Sequence, residues 1–178
     1  MFELLTDRLR LREWRRDDPS DVDGLLAILS DPETLKLWPF LFDRNGVEEW
    51  IANAVASYEA NGFGRLAVEL RDSGDLIGDC GLKPSRIGDW SFIDLGWILH
   101  ARHHGNGYAT EAASAIVDHA FSTLNLPELI AHMADDHPAS RSVAERLGMT
   151  FSHAAPYERN LNKRHLFYRL TPPSPSAS

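Results

Sequence analysis

Leu99-His100-Ala101-Arg102-His103-His104-Gly105-Asn106-Gly107-Tyr108-Ala109-Thr110-Glu111 joins an apolar segment, Phe92–Leu99, to the most regular helical pattern in the chain. Glycines at 105 and 107 remove side chains where a ligand must approach the backbone. The helix that follows begins with N–H groups lacking partners inside it, at the positive end of its dipole. Together these features describe an anion site suited to a pyrophosphate, with Arg102 positioned to add charge at the loop entrance.

Three phosphate-binding patterns compete for this loop. A P-loop needs Lys and then Ser or Thr after its glycines, and no such pair follows. A dinucleotide fingerprint needs a third glycine where Thr110 stands. It also needs an acid at the end of the next strand, whereas Glu128 comes before that strand. The acyl-coenzyme A pattern R/Q-x-x-G-x-G/A is met by Arg102, Gly105 and Gly107. Read alone, the glycines fit an empty turn equally well. The elements around them decide.

After the loop, Ala109, Ala112, Ala113, Ile116, Val117, Ala120, Phe121 and Leu124 recur at helical spacing. Before it, Phe92–Leu99 is apolar on both faces and reads as a central strand. Two further strands, Arg65–Leu70 and Leu76–Leu82, flank a hairpin turn at Ser73-Gly74-Asp75. Upstream, Leu9 and Leu11 alternate with Arg8, Arg10 and Arg12 as in a half-buried strand. Asp18-Pro19 caps a helix with its apolar face at Val22, Leu25, Leu26 and Leu29. A second helix after Asn45 carries Val47, Trp50, Ile51, Ala54, Val55 and Tyr58 on one face. Glu48 and Glu49 are expected in its first turn, and Asn61-Gly62 ends it. Downstream, Leu129–Ala134 reads as a buried strand and Pro138–Leu147 as a helix closed by Gly148. Met149–Ser152 and His165–Leu170 read as terminal strands. Strands alternating with helices, with a hairpin among them, imply a mixed sheet with helices packed on it.

The 178 residues suit one domain, expected over 6–170, and 43% are hydrophobic. A Pro/Ser-rich tail, 171–178, is expected to stay disordered. No run approaches the roughly 20 apolar residues of a membrane span, and the N-terminal residues lack a signal peptide's apolar run. Cys80 is the single cysteine, which excludes an internal disulfide. A cytoplasmic protein with no membrane partner is the expectation. The net charge of -8 opposes nucleic-acid binding and would attract a cationic partner, though solubility alone accounts for it.

Three segments in order resemble the GNAT superfamily of N-acetyltransferases, and within it the branch that acetylates ribosomal-protein N-termini and related amines. Thr6-Asp7-Arg8-Leu9-Arg10-Leu11-Arg12 is similar to that branch's T-x-R-L-x-L-R start. Gly105-Asn106-Gly107-Tyr108-Ala109-Thr110-Glu111-Ala112 is similar to its G-x-G-Y-A-T-E-A signature. Ala139–Met149 is similar to its second coenzyme segment, N-x-A-S-x-x-V-x-E-K-x-G-F/M. The resemblance implies an α+β fold with a mixed, mostly antiparallel sheet flanked by helices. It implies acetyl-CoA as co-substrate, no metal, and an amine acceptor that is a protein N-terminus or a small molecule, for a monomer or homodimer. In that fold the fourth strand, here Phe92–Leu99, splays from the fifth and pairs with pantetheine. Gly96 would mark a bulge opening this gap, or a close helix contact. The coenzyme contacts carried over are Trp97, Ile98 and Leu99 of the strand, Arg102, His103, His104, Gly105, Asn106, Gly107, Tyr108 and Ala109 of the loop, and His137.

Attack of a neutral amine on a thioester calls for a base, an oxyanion donor and an acid for the leaving thiolate. Asp94, an acid in an otherwise apolar strand beside the implied gap, is the first base candidate. A structural pairing with a neighbouring strand or Arg65 is the alternative, and Glu69 and Asp79 are weaker candidates. Many family members place a Tyr seven residues after the leading Asn of the second segment. Here those positions hold Ala144 and His137, so a tyrosine acid is not expected. Ser140 stands near the implied thiolate, able to hydrogen-bond it or to cap its helix. His137 would contact coenzyme or cap that helix, and Tyr108 would pack beside the loop. His132, Asp135, Asp136 and His137 fit no metal-ligand spacing and read as solvated loop residues. Trp38, Pro39, Phe40, Phe42 and Trp50 border the acceptor site in the family, or simply pack the helical pair. Ala144 and His137 also motivate a second reading, a coenzyme-binding sensor without catalysis.

Overall fold

The computed structural model describes residues 1–173. The tail expectation for 174–178 lies outside the described residues. In chain order the elements are β1 (Glu3–Leu5), β2 (Leu9–Glu13), α1 (Pro19–Leu29), α2 (Arg44–Asn61), β3 (Arg65–Leu70), β4 (Leu76–Ile87), β5 (Trp90–Leu99), α3 (Tyr108–Ser122), β6 (Leu129–Ala134), α4 (Pro138–Arg146), β7 (Thr150–Tyr157) and β8 (Lys163–Leu170). The strands form one mixed sheet in the order β1-β2-β3-β4-β5-β6-β8-β7. Its pairs are antiparallel except β5 with β6.

Local chemistry sets the element ends. The Asp18 carboxylate accepts from the Ser20 N–H and Pro19 opens α1, while Gly62, with φ at 75°, ends α2 in the left-handed conformation. Asp43 caps α2 at Arg44, so Glu48 and Glu49 fall beyond its first turn. The β4–β5 hairpin is longer than its apolar core. It runs out through Pro84 to a two-residue turn at Gly88-Asp89, with Ile87 paired to Trp90. Pro84 is tolerated because β3 pairs β4 only up to Gly81, leaving this stretch of β4 at an edge.

On one face of the sheet, Leu9, Leu11, Val68, Leu82, Leu95 and Leu129 pack against Ala112, Ala113, Ile116 and Ala120 of α3 and Ala144 of α4. On the other, Ala67 and Ile98 meet Val22, Leu25, Val47 and Ile51 of α1 and α2. Phe92, Ile130 and Phe167 form a third cluster built from strands. The arginines of β2 are not a plain solvent face. Arg12 is buried and donates to both oxygens of buried Asp21 at 2.9 and 2.7 Å. Among the described residues no helix is long and apolar enough to cross a membrane.

Candidate active site

The sheet opens at its centre. β5 and β6 pair at one register position, Asp94 with Ile130. Beyond it, Leu95–Leu99 keep their partners on β4 but have none on β6. Register between β4 and β5 runs unbroken through Gly81 and Gly96, so Gly96 is not a bulge. Nor does a helix pack on it. A methyl group there would sit 1.9 Å from Nη1 of Arg65, whose guanidinium crosses over the glycine to reach Asp79. The buried Asp79 carboxylate accepts from Arg65 Nε at 2.6 Å, Trp14 Nε1 at 2.9 Å and Trp50 Nε1 at 3.3 Å. Those contacts occupy Asp79. Glu69 is likewise engaged, by Arg12 at 2.7 Å.

The glycine loop lies where β5 passes into α3. Gly105 and Gly107 both have φ of 80°, which their lack of a Cβ permits. A Cβ on Gly105 would meet nothing within 4 Å, and one on Gly107 only Arg8 Nη2 at 3.6 Å. Open space therefore faces both. Gly107 is the N-cap of α3 and supplies no side-chain acceptor, so the first N–H groups of the helix stay available for an anion. The Asn106 amide donates to the carbonyls of His103 and His104 at 3.1 and 3.2 Å, folding the loop on itself. His104 Nε2 lies 2.9 Å from the Leu99 carbonyl. Exposed Arg102 donates to His103 Nε2 at 3.0 Å. Desolvation and then the Arg102 charge hold His103 below the usual imidazole range.

The loop is braced from behind by the start of the chain. Thr6 Oγ1 and the Arg8 N–H donate to Glu111 Oε1 at 2.6 and 3.0 Å. Arg8 also donates to Glu111 Oε2 at 2.7 Å and the Asn106 carbonyl at 3.0 Å, and lies 4.6 Å over the Tyr108 ring. Tyr108 thus packs beside the loop. Glu111, partly desolvated, is still held below the usual carboxylate range by Thr6 and Arg8.

His137 is the N-cap of α4, its Nδ1 accepting from the Ser140 N–H at 3.3 Å. The Ser140 hydroxyl lies 3.3 Å from His137 Nε2, so it faces the capping ring and is not itself the cap. Burial pushes His137 below the usual range. Ala144 is fully buried against the core.

Asp94 does not pair with Arg65, which holds Asp79. Its Oδ1 lies 3.8 Å from Nε2 of His132. His132 therefore is not a solvated loop residue. It belongs to β6, its side chain is 11% exposed, and burial lowers its pKa. The sequence shows it only as one inward position of a short strand. Asp135 and Asp136 are exposed and pair with Arg164 and Lys163. Among the described residues no group of three or more His, Cys, Asp or Glu could hold a metal ion. The aromatic stretch divides. Phe42 and Trp50 pack on the α1–α2 cluster, while Trp38 and Phe40 stand exposed against them at ring separations of 5.2 to 6.4 Å. A cavity of about 630 Å³ opens near the β5–β6 junction, lined by Lys83, Ser85, Phe92, Ile93, Tyr157 and Arg159 among others.

Comparison with known proteins agrees with this architecture. Residues 8–150 match the family model described as Acetyltransferase (GNAT) domain. The Bacillus subtilis (strain 168) protein YkkB is 32% identical over 84% of this chain and 86% of its own. The crystal structure of an acetyltransferase from Agrobacterium tumefaciens str. C58 superposes with a TM-score of 0.79 at 30% identity, covering 97% of this chain and 95% of that one. At 16% identity, the ribosomal-protein-S5-alanine acetyltransferase of Vibrio fischeri shares the fold, with a TM-score of 0.75 over 96% and 97% of the two chains.

Proposed function

The chain belongs to the GNAT acetyltransferase family, and on that premise we propose that it moves an acetyl group from acetyl-CoA to a primary amine by direct attack in a ternary complex. The observation that carries this reading is the conjunction of an uncapped helix start behind two open glycines with an unpaired strand edge that runs from the loop back to Asp94.

The residues present fit the coenzyme. N–H groups of the first turn of α3 and of the loop would hold its pyrophosphate, with Arg102 adding charge. The free edge of β5, at Trp97, Ile98 and Leu99, would take its amide-bearing arm as a sheet takes an added strand. When bound, acetyl-CoA supplies an acyl group on a good leaving thiolate. The chain does the rest. Asp94, acting directly or through water, takes a proton from the acceptor's nitrogen as that nitrogen bonds to the carbonyl carbon. A backbone N–H on the free edge of β5 stabilises the charge that develops on the carbonyl oxygen. As the oxyanion collapses and the C–S bond breaks, the Ser140 hydroxyl hydrogen-bonds the departing sulfur, which takes its proton from solvent, and Asp94 returns to solvent the proton it received.

The acceptor is a protein N-terminus or a small amine. The Vibrio fischeri neighbour's name, a ribosomal-protein acetyltransferase, supports the first at the level of fold. The cavity beside Lys83 and Tyr157 and the exposed rings of Trp38 and Phe40 give either class an approach.

The deciding experiment is a thiol-release assay across a panel of amines, with products identified by mass spectrometry, on the wild type and Asp94→Asn. Turnover on at least one amine is expected, with a loss of about 100-fold or more in kcat for the variant and near-normal coenzyme affinity. The loss should shrink at high pH, where more acceptor is already neutral. Buried Ala144, where many relatives carry a tyrosine, favours a second reading as a coenzyme-binding sensor. Tight acetyl-CoA binding without turnover on any amine would select it.

A further inference from the structure

Four side chains from separate elements form a line that ends at Asp94. Asn160 Nδ2 lies 2.9 Å from His165 Nε2. His165 Nδ1 lies 2.9 Å from His132 Nδ1, and His132 Nε2 lies 3.8 Å from Asp94 Oδ1. Asn160 follows β7, His165 is on β8, His132 on β6 and Asp94 on β5. Asn160 and His165 are 8% and 6% exposed, so water competes little for their polar atoms.

The protons along this line follow from the first donor. An amide nitrogen only donates, so His165 Nε2 must accept. In a neutral imidazole the other nitrogen then carries the hydrogen, and His165 Nδ1 donates to His132 Nδ1. By the same rule the hydrogen of His132 sits on Nε2 and is directed at the Asp94 carboxylate. Both rings are neutral at neutral pH, because burial lowers the pKa of His132 and takes His165 to about 4. They are also held in place. The Tyr157 ring is 4.7 Å from His132 and 4.8 Å from His165, and Phe167 stacks on His132 at 5.1 Å.

We propose that Asn160, two imidazoles away from Asp94, fixes the tautomer of His132 and thereby makes His132 a positioning residue for the base. The inference rests on the reading of Asp94 as that base. The 3.8 Å separation is an electrostatic contact, longer than a hydrogen bond, and contacts of this kind tighten in a loaded site. A neutral donor orients a carboxylate without bringing the positive charge that would weaken it as a base. The surroundings make that orientation useful. Asp94 is also within the field of Lys83 on β4, Arg65 on β3 and Tyr157 at the end of β7. His165 feels Lys163, Asp135 and Asp136 as well as His132. Without a fixed donor on its β6 side, the carboxylate would be drawn toward Lys83, its cross-strand partner.

Proton-coupled 15N spectra of the full-length protein test this directly. His132 should be the Nε2–H tautomer and His165 the Nδ1–H tautomer. Asn160→Asp replaces the donor with an acceptor and should reverse both. kcat should fall about tenfold or more while KM for acetyl-CoA stays unchanged. His165→Asn, whose amide can still donate to His132 Nδ1, should retain more of kcat than His165→Leu. A wild-type His132 with its proton on Nδ1 would overturn the proposal even if no variant folds, as would reversed tautomers at full kcat. Full activity in Asp94→Asn would overturn both the base and the positioning role. Wrong tautomers in an enzyme that Asp94→Asn disables would overturn the positioning role alone.

Discussion

Arg8 and Glu111 stand 103 residues apart in the chain and meet at 2.7 Å behind the glycine loop. Arg8 spans Glu111, the Asn106 carbonyl and the face of Tyr108, so the chain's opening segment is part of the loop's support. The pair is partly exposed, and its coupling should be about 0.5–1 kcal/mol in a double-mutant cycle of Arg8→Ala and Glu111→Ala. The larger effect should be on ligand. Arg8→Ala should raise the Kd for acetyl-CoA about tenfold while the melting temperature moves little. An unchanged Kd measured by calorimetry would show that the loop stands without its brace.

Gly107→Val combines two effects. The left-handed backbone costs a residue with a Cβ about 1–2 kcal/mol, and the isopropyl group fills the space in front of the first N–H groups of α3. Coenzyme binding should be abolished in a protein that still folds. Gly107→Ala should bear the same backbone strain with a milder loss of affinity, and the difference between the two isolates the steric effect.

The His165 pKa sets a stability slope. Its folded value, about 4, lies below the usual 6.5, so between those values the unfolded chain binds more protons than the folded one. Stability therefore falls as pH drops from about 6.5 to about 4, by at most about 3 kcal/mol. Asp21, lowered to about 2 by its arginine partners against the opposing effect of burial, contributes only below that window. Urea titrations from pH 7 to 4 should show the slope in the wild type and a shallower one in His165→Asn.

Gly96→Ala should destabilise the fold by about 2 kcal/mol or more, because the new methyl displaces Arg65 from a buried partner. In an Arg65→Met background the same substitution should cost clearly less. Equal costs in both backgrounds, read by chemical denaturation, would mean that Arg65 is not what the glycine accommodates.

Local patterns made most of the elements legible. Arg65–Leu70 and Leu129–Ala134 match the expected strands at both ends, and α1, α3 and α4 start as their caps and spacing require. Segments escape a local pattern where pairing with another strand decides. β1 is three residues held by β2. The outer halves of β4 and β5 are polar or interrupted by Pro84, and exist because each pairs with the other. The same holds within the site. The glycine loop and Asp94 can be read from local pattern. Arg65 crossing Gly96, and His132 buried between Asp94 and His165, are cross-strand facts that no window of sequence contains.

The single bridge at Asp94 and Ile130 has a consequence for how the protein tolerates its own architecture. A sheet normally ends in two outer edges, where unpaired N–H and C=O groups invite other chains to add on. This sheet has a third edge in its interior, along β5 beyond Asp94. There the neighbouring leaf of β6, β8 and β7 flanks it, where a foreign strand would otherwise add. The two outer edges, β1 and β7, have no further strand beside them, whereas this one is flanked on its open side by a strand of the same sheet.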